Sequence, residues 1–554
     1  MSFKDKVIYQ IYPKSFKDTN SDGIGDLKGI TEKAEYLKSL GVDLIWISPF
    51  FKSPQNDNGY DISDYYSIEP MYGTMEDVEN MIKTFKDYGI GLMFDMVFNH
   101  TSIEHEWFKK ALNGEKKYRD YYYIRKPKPD GSLPNNWKSK FGGDAWAKFG
   151  NTGEYYLCLY DKTQADLNWH NENLRKELYK IINFWIDKGV EGFRFDVLNV
   201  IGKSNDLKDS DGNIEHEKKL YTDTEIVHEY IKEMNKLTFG RNKKIITVGE
   251  MSSTDLNNSS KYASLNGDEL SMVFSFHHLK TDYENGNKWT DSDFDFLELK
   301  KIINKWQVGL EKENAWNSAF WNNHDQPRAN SRFLNPKKYP FESSTLLATT
   351  IHMMRSTPYI YQGEEFGMTN PNFKSIEQYK DVESINAYND LKNKGVNEEK
   401  IIKILSEKSR DNSRTPMQRD DSEFSGFSDV KPWIDFCDNY KEVNLKKDLF
   451  NEKSIFRYYQ KLIKLRKNEK IISDGSYIPI LEDDENIFAF LRKYKNEYLI
   501  CINNFREKKA EVLLDDILEN VKEFKYLIGN GKNKVLTKKM IFYPFESEVF
   551  KFYI

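Results

Sequence analysis

Eight short β-prone segments, separated by amphipathic helical ones, constrain this chain more than any other feature. They fall at residues 7–12, 43–47, 91–97, 191–197, 244–250, 272–276, 319–324 and 358–361. Between them, apolar residues recur every three or four positions. Leu27, Ile30, Ala34, Leu37 and Leu40 run up to Gly41, and Val78, Met81, Ile82 and Phe85 follow the capping pattern Thr74-x-x-Asp77. Leu174, Leu178, Ile181, Ile182, Trp185 and Ile186 run up to Gly189, a helix with a glycine stop. Eight strands alternating with helices predict a parallel (β/α)8 barrel of the α/β class. In that architecture the C-terminal strand ends carry the chemistry. His100, Asp196, Glu250, His324 and Asp325 all collect there.

Two segments interrupt the alternation. Residues 101–171 are rich in Trp, Tyr, Gly and Lys and show no helical period. A connection that long needs structure of its own, which predicts an inserted domain after the third strand. Beyond a helix near residues 455–465, alternating apolar segments at 487–490 and 498–502 predict a small antiparallel β domain. The expected division is a barrel over residues 1–100 and 172–472, an insert over 101–171 and a β domain over 473–554. A chain of 554 residues is too long for one core, so several units are expected.

Charge excludes some partners. The net charge of -5, from 82 basic and 87 acidic residues, gives no case for nucleic acid or an anionic membrane. Mean hydropathy of -0.74 and the lack of any long apolar run argue against a membrane protein. The three cysteines are scattered and odd in number, so no disulfide framework is implied. Met1-Ser-Phe-Lys lacks the layout of a signal peptide. The expectation is a soluble, cytoplasmic monomer acting on a small molecule.

The fourth strand joins structure to chemistry. Side chains alternate on a strand, so Arg194 and Asp196 share one face while Phe193 and Phe195 pack the other. Taken alone, the pair reads first as a buried structural ion pair; the sharper reading is a nucleophilic carboxylate kept ionised by Arg194. Glu250 and Asp325 end other strands, so three carboxylates can meet in one pocket. Two suffice for glycoside hydrolysis, one attacking and one protonating the leaving oxygen. Ile245, Ile246 and Val248 precede Glu250, an apolar setting of the kind that keeps a carboxylic acid protonated. Near the N-terminus, Asp18, Asn20, Asp22 and Asp26 place oxygens at alternate positions around Gly23. An EF-hand would carry glutamate at the twelfth position, where this chain has Gly29. That leaves either a lone cation loop or an Asp/Asn/Gly turn.

Four motifs carry a resemblance. Asp95-Met-Val-Phe-Asn99-His100, Gly192-Phe-Arg194-Phe-Asp196, Val248-Gly-Glu250 and Asn323-His324-Asp325 resemble the signature regions of the α-amylase superfamily, glycoside hydrolase family 13. Asn58-Gly59-Tyr60-Asp61 and the stretch from Ser409 to Gln418 are similar to its oligo-1,6-glucosidase branch. The resemblance runs through the whole chain. It implies a retaining α-glucosidase with Asp196 as nucleophile, Glu250 as acid/base and Asp325 as transition-state stabiliser. It further implies that Tyr60, His100, Arg194 and His324 surround the reacting ring, and that Asp61 and Arg414 close its non-reducing end. It also implies calcium, with magnesium as the other candidate, in the loop of Asp18, Asn20, Asp22, Ile24 and Asp26.

The stretch from Phe274 to Trp289, with His277, His278, Lys280 and Lys288, is similar to trehalose-6-phosphate hydrolases of that branch. The implied substrate is a phosphorylated disaccharide; a phosphate needs cations just beyond the leaving-group oxygen, and Lys280 and Lys288 are expected to hold it. A plain oligo-1,6-glucosidase is the alternative, with Val197 after the nucleophile compatible with it. A non-catalytic, transporter-associated protein of the same fold is the remote one. Two departures stand out: Arg419 where tryptophan is usual, and Ala165 where proline is common.

Overall fold

The computed structural model describes residues 3–553 apart from 520, 522 and 533, so the outermost domain bounds at residues 1, 2 and 554 lie outside the described residues. Eight parallel strands close into a barrel: β1 (Ile8–Ile11), β2 (Leu44–Ile47), β3 (Gly91–Val97), β4 (Gly192–Asp196), β5 (Ile246–Glu250), β6 (Met272–Phe274), β7 (Asn317–Ala319) and β8 (Ser356–Tyr361). β8 pairs with β1, which removes both edges. The strands are almost wholly buried, as strands flanked on both sides must be.

The helix before β4, Glu172–Asp187, shows how local sequence sets this up. Asn171 caps its start by accepting from the Asn173 and Leu174 amides. Leu174, Leu178, Ile181, Ile182 and Trp185 form its buried stripe. Gly189 then turns the chain at φ 103°, the left-handed region that glycine enters without strain. β4 follows, with register pairing Arg194 to Asp95 of β3 and to Val248 of β5.

Two expectations on the elements are corrected. β7 is Asn317–Ala319, not 319–324. Phe320 and Trp321, which suggested strand, pack beyond its end, where the Trp321 indole donates to the Leu347 carbonyl at 2.8 Å. Asn323 Oδ1 accepts the Asp325 amide, so His324 and Asp325 stand on a turn after the strand. The stretch after β3 also contains a helix, Glu106–Leu112. At seven residues it is too short for a period to show; Phe108 and Ala111 are its buried residues. The rest of that stretch holds a single-turn helix, Lys116–Arg119, a three-stranded sheet and a ladder pairing His100–Ser102 with Gln164–Asp166.

The C-terminal part is a five-stranded antiparallel sheet beside a two-stranded one. It is joined to the barrel by buried cations. Lys300, on the helix Phe296–Lys312, donates to the carbonyls of Leu481, Asp484 and Ile487 at 2.9, 2.6 and 2.9 Å. Arg492 reaches back to Met353 O at 2.7 Å. Among the described residues, no helix is long and apolar enough to cross a membrane.

Candidate active site

Arg194 organises the site. Its Nη1 donates to Asp95 Oδ1 at 2.8 Å and to Asp196 Oδ1 at 2.7 Å, and its Nη2 donates to Glu250. One guanidinium therefore ties β3, β4 and β5 together at their C-terminal ends. Asp95 also accepts from the Trp46 indole at 3.1 Å and the Tyr60 hydroxyl at 3.0 Å. Burial pushes Asp95 up to about 6 against the pull of Arg194, and burial likewise raises Asp196. Immediately after Asp196, Val197 takes φ 35°, a costly conformation for a β-branched residue.

Asp325 is held differently. Its Oδ1 accepts from Arg414 at 2.8 Å and Arg410 at 3.3 Å, and its Oδ2 lies 3.1 Å from His324 Nε2. Burial would raise this carboxyl, but His324 and the two arginines outweigh it and hold it well below the usual range. The His324 ring stacks flat on Tyr60, with centroids 5.3 Å apart, and Gln10 Nε2 lies 2.8 Å from its Nδ1. With Nδ1 accepting from Gln10, the proton sits on Nε2, facing Tyr60 and Asp325. Burial lowers this ring against the upward pull of Asp325, and it lowers His100 to about 4.

A cavity of about 250 Å³ opens over these groups. Asp196, Glu250 and Asp325 all line it, as do Tyr60 and His100. Lys140, Phe141 and Tyr160 from the inserted segment form one wall, and Lys288, Glu383 and Arg410 form another.

Several expected residues stand elsewhere. Asp61 is turned into its own loop, accepting from Ser53 Oγ at 2.8 Å and from the Asn56 and Asp57 amides. Asp57 lines the cavity in its place, with Arg410 3.8 Å away, and burial pushes it up to about 7. The sequence signal is the turn-forming pair Asn58-Gly59 between the two acids, and both residues take positive φ. Arg414 lies behind Asp325, donating also to His324 O at 2.8 Å, while Arg410 faces the cavity.

The turn after β6 differs from expectation too. His278 donates to Phe320 O at 2.9 Å, and His277 packs on Trp306; burial lowers both to about 4, so neither is a cation. Lys280 is exposed outside the cavity lining. Lys288 lines the cavity but is paired with Glu383 at 2.8 Å. The Glu250 setting is not apolar either: the apolar residues of β5 lie deeper along the strand, and at the rim its neighbour is Arg194. Arg419 lies away from the cavity, stacked on Phe16 and donating to Phe16 O at 2.8 Å.

The loop at Asp18 closes on itself. Asp18 accepts from the Asn20, Ser21 and Gly23 amides and from Ser428 Oγ, and Asp26 caps the next helix at the Gly29 amide. Among the described residues, no three acid, His or Cys side chains are gathered as a metal site. The donor set itself, three carboxylates, an amide oxygen and a backbone carbonyl, is chemically what a hard cation takes.

A closed parallel barrel with three carboxylates and an arginine at one mouth holds the groups a glycoside hydrolase uses. The family description "Alpha amylase, catalytic domain" matches residues 10–475, and the chain belongs to the α-amylase family. It is 48% identical to a trehalose-6-phosphate hydrolase of Bacillus subtilis (strain 168), covering 99% of this chain and 98% of that one. It is 45% identical to an oligo-1,6-glucosidase of Bacillus cereus, covering 99% of each. The crystal structure of a trehalose-6-phosphate hydrolase from Bacillus licheniformis superposes with a TM-score of 0.96 at 50% identity, covering all of both chains.

Proposed function

We propose that this enzyme hydrolyses trehalose 6-phosphate to glucose and glucose 6-phosphate with retention of configuration. The observation that carries the reading is a carboxylate-lined cavity with two lysines, Lys140 and Lys288, on its walls, in a chain similar along its whole length to trehalose-6-phosphate hydrolases. Asp57, Arg410 and His100 enclose the non-reducing glucose, and Tyr60 supplies a flat floor. The Asp196 carboxylate attacks C1 as Glu250 delivers its proton to the glycosidic oxygen, so that glucose 6-phosphate leaves and a glucosyl ester forms on Asp196. Glu250, now a carboxylate, takes a proton from water as that water attacks C1, releasing α-glucose and restoring both groups. Asp325, kept ionised by His324, Arg410 and Arg414, stabilises the positive charge on the ring. Arg194 keeps Asp196 ionised against the cost of burial. Lys280, exposed outside the cavity lining, contributes positive charge on the side where the second glucose sits, while the charge of Lys288 is offset by its pairing with Glu383.

The experiment is a comparison of trehalose 6-phosphate, trehalose and isomaltose. Preference for the phosphate by a large factor is expected. Preference for isomaltose would hand the chain to the oligo-1,6-glucosidase reading, which the 45% identity favours as the second choice.

We further propose that Asp18, Asn20, Asp22, Asp26 and the Ile24 carbonyl hold a structural calcium ion, with magnesium as the alternative. The hard oxygen set supports this. A cytoplasmic monomer is the setting we propose, consistent with three buried free cysteines.

A further inference from the structure

Cations around the cavity differ in what they are free to do. Arg194 is committed to three carboxylates, Arg410 to Asp381 at 2.5 Å and to Asp325, and Lys288 to Glu383. Lys140, partly buried in the cavity wall, makes no ion pair among the described residues. Its Nζ donates to Ser252 Oγ at 2.9 Å and stands over the rings of Tyr160 and Tyr221 at 5.9 and 5.4 Å. Ser252 lies two residues beyond Glu250, so the ammonium is placed on the side of the acid, where the leaving sugar must sit.

The charged groups that act most on Lys140 are three cations, Lys218, Lys280 and Lys203, and the carboxylate of Asp166. Lys218 comes from the helix Ile214–Lys219 and is paired with Glu215 at 2.7 Å, Lys280 comes from the turn after β6, and Lys203 is already paired with Asp166 at 3.1 Å. Such a wall is short of negative charge, and a phosphate on the leaving glucose would supply it.

We propose that Lys140 selects the substrate by binding the 6-phosphate of the leaving glucose, with Lys280 and Lys218 as outer partners. This rests on the reading of the chain as a trehalose-6-phosphate hydrolase. It carries a pH signature. Burial, together with Lys218, Lys280 and Lys203, lowers the ammonium of Lys140 to about 7. A sugar phosphate becomes a dianion near pH 6. Full charge on both partners therefore spans a narrow window, and above it KM for the phosphorylated substrate climbs as the free enzyme loses the Lys140 proton.

The test is steady-state kinetics from pH 6 to 8.5 on trehalose 6-phosphate and p-nitrophenyl α-glucoside, with wild type, Lys140→Met and Lys140→Arg. Lys140→Met is expected to raise KM for the phosphate roughly 10- to 100-fold, the worth of one charged hydrogen bond, and to lower the phosphorylated-to-unphosphorylated ratio of kcat/KM by the same factor. Lys140→Arg should recover the ratio and flatten the rise in KM above pH 7, because arginine stays protonated. A Lys140→Met enzyme impaired equally on both substrates would show a packing role and overturn the proposal. So would an unaltered ratio in an enzyme whose wild type prefers the phosphate. A wild type that turns over trehalose and its phosphate alike would bring down the functional reading itself, and this proposal with it.

Discussion

Arg194→Gln is the sharpest probe of the electrostatics, because one guanidinium touches three carboxylates. The change removes charged hydrogen bonds of 2.8 Å to Asp95 and 2.7 Å to Asp196 and leaves both acids buried without a counter-charge. A charged hydrogen bond contributes about 1.5–3 kcal/mol. At 1.36 kcal/mol per pH unit, Asp196 in the variant should ionise roughly one to two units higher. The acid limb of kcat/KM on p-nitrophenyl α-glucoside should move up by that amount. Breaking a buried pair from one side also costs about 3–5 kcal/mol of stability.

The pH dependence has a definite sign. Both acids already sit above their unfolded values, Asp95 at about 6, and loss of Arg194 drives them higher. A carboxyl whose folded value is raised favours the fold while protonated and weakens it as pH climbs from the unfolded value through the folded one. The melting temperatures of variant and wild type should therefore lie closest near pH 5 and separate towards pH 8. An acid limb that stays put, with a melting gap that widens on acidification, would refute the assignment of Arg194 as the counter-charge.

Other outcomes follow from the same geometry. Asp196→Asn should melt close to wild type yet lose turnover by roughly four orders of magnitude or more, since an amide is a poor nucleophile; proton NMR of the wild-type reaction should show α-glucose before β-glucose. Asp57→Asn should raise KM for every α-glucoside about tenfold or more by loosening the contact to the non-reducing end, whereas Asp61→Asn should mainly lower the melting temperature, which kinetics and calorimetry together distinguish. Chelation should lower the melting temperature without changing kcat, with calcium restoring it, because an ion bound only by the fold stabilises it; metal-free protein with an unmoved transition would leave the loop as a turn.

The barrel was legible because its periods are unambiguous: helical stripes such as Leu174 to Trp185 and short apolar strands repeat until only one topology closes them. The carboxylates were legible because strand ends are a fixed address in that topology. What escaped is what depends on rotamer and loop path. Asp57 and Asp61 lie four residues apart with the Asn58-Gly59 turn between them, and Asp57 lines the cavity while Asp61 is held by Ser53 and by the Asn56 and Asp57 amides. His277 and His278 look like cations in sequence, but the turn after β6 folds them onto Trp306 and Phe320, where burial neutralises them. Lys140 lies in the inserted segment, distant in sequence from every motif. The placement of β7 failed because Phe320 and Trp321 are as apolar as a strand while packing beyond one.

The cations under the barrel bear on how such a chain can be recombined. Lys300 caps three carbonyls of the C-terminal sheet, and Arg492 returns the contact by reaching Met353. A barrel cut free near residue 475 would expose the Lys300 ammonium with no acceptors, and a sheet grafted from another protein would have to offer three carbonyls at the same place. The hinge between the two parts is thus a lock with a shape. Libraries that shuffle C-terminal domains among relatives should give folded chimaeras when the crossover carries the Lys300 helix along with the sheet, and insoluble ones when it falls between them.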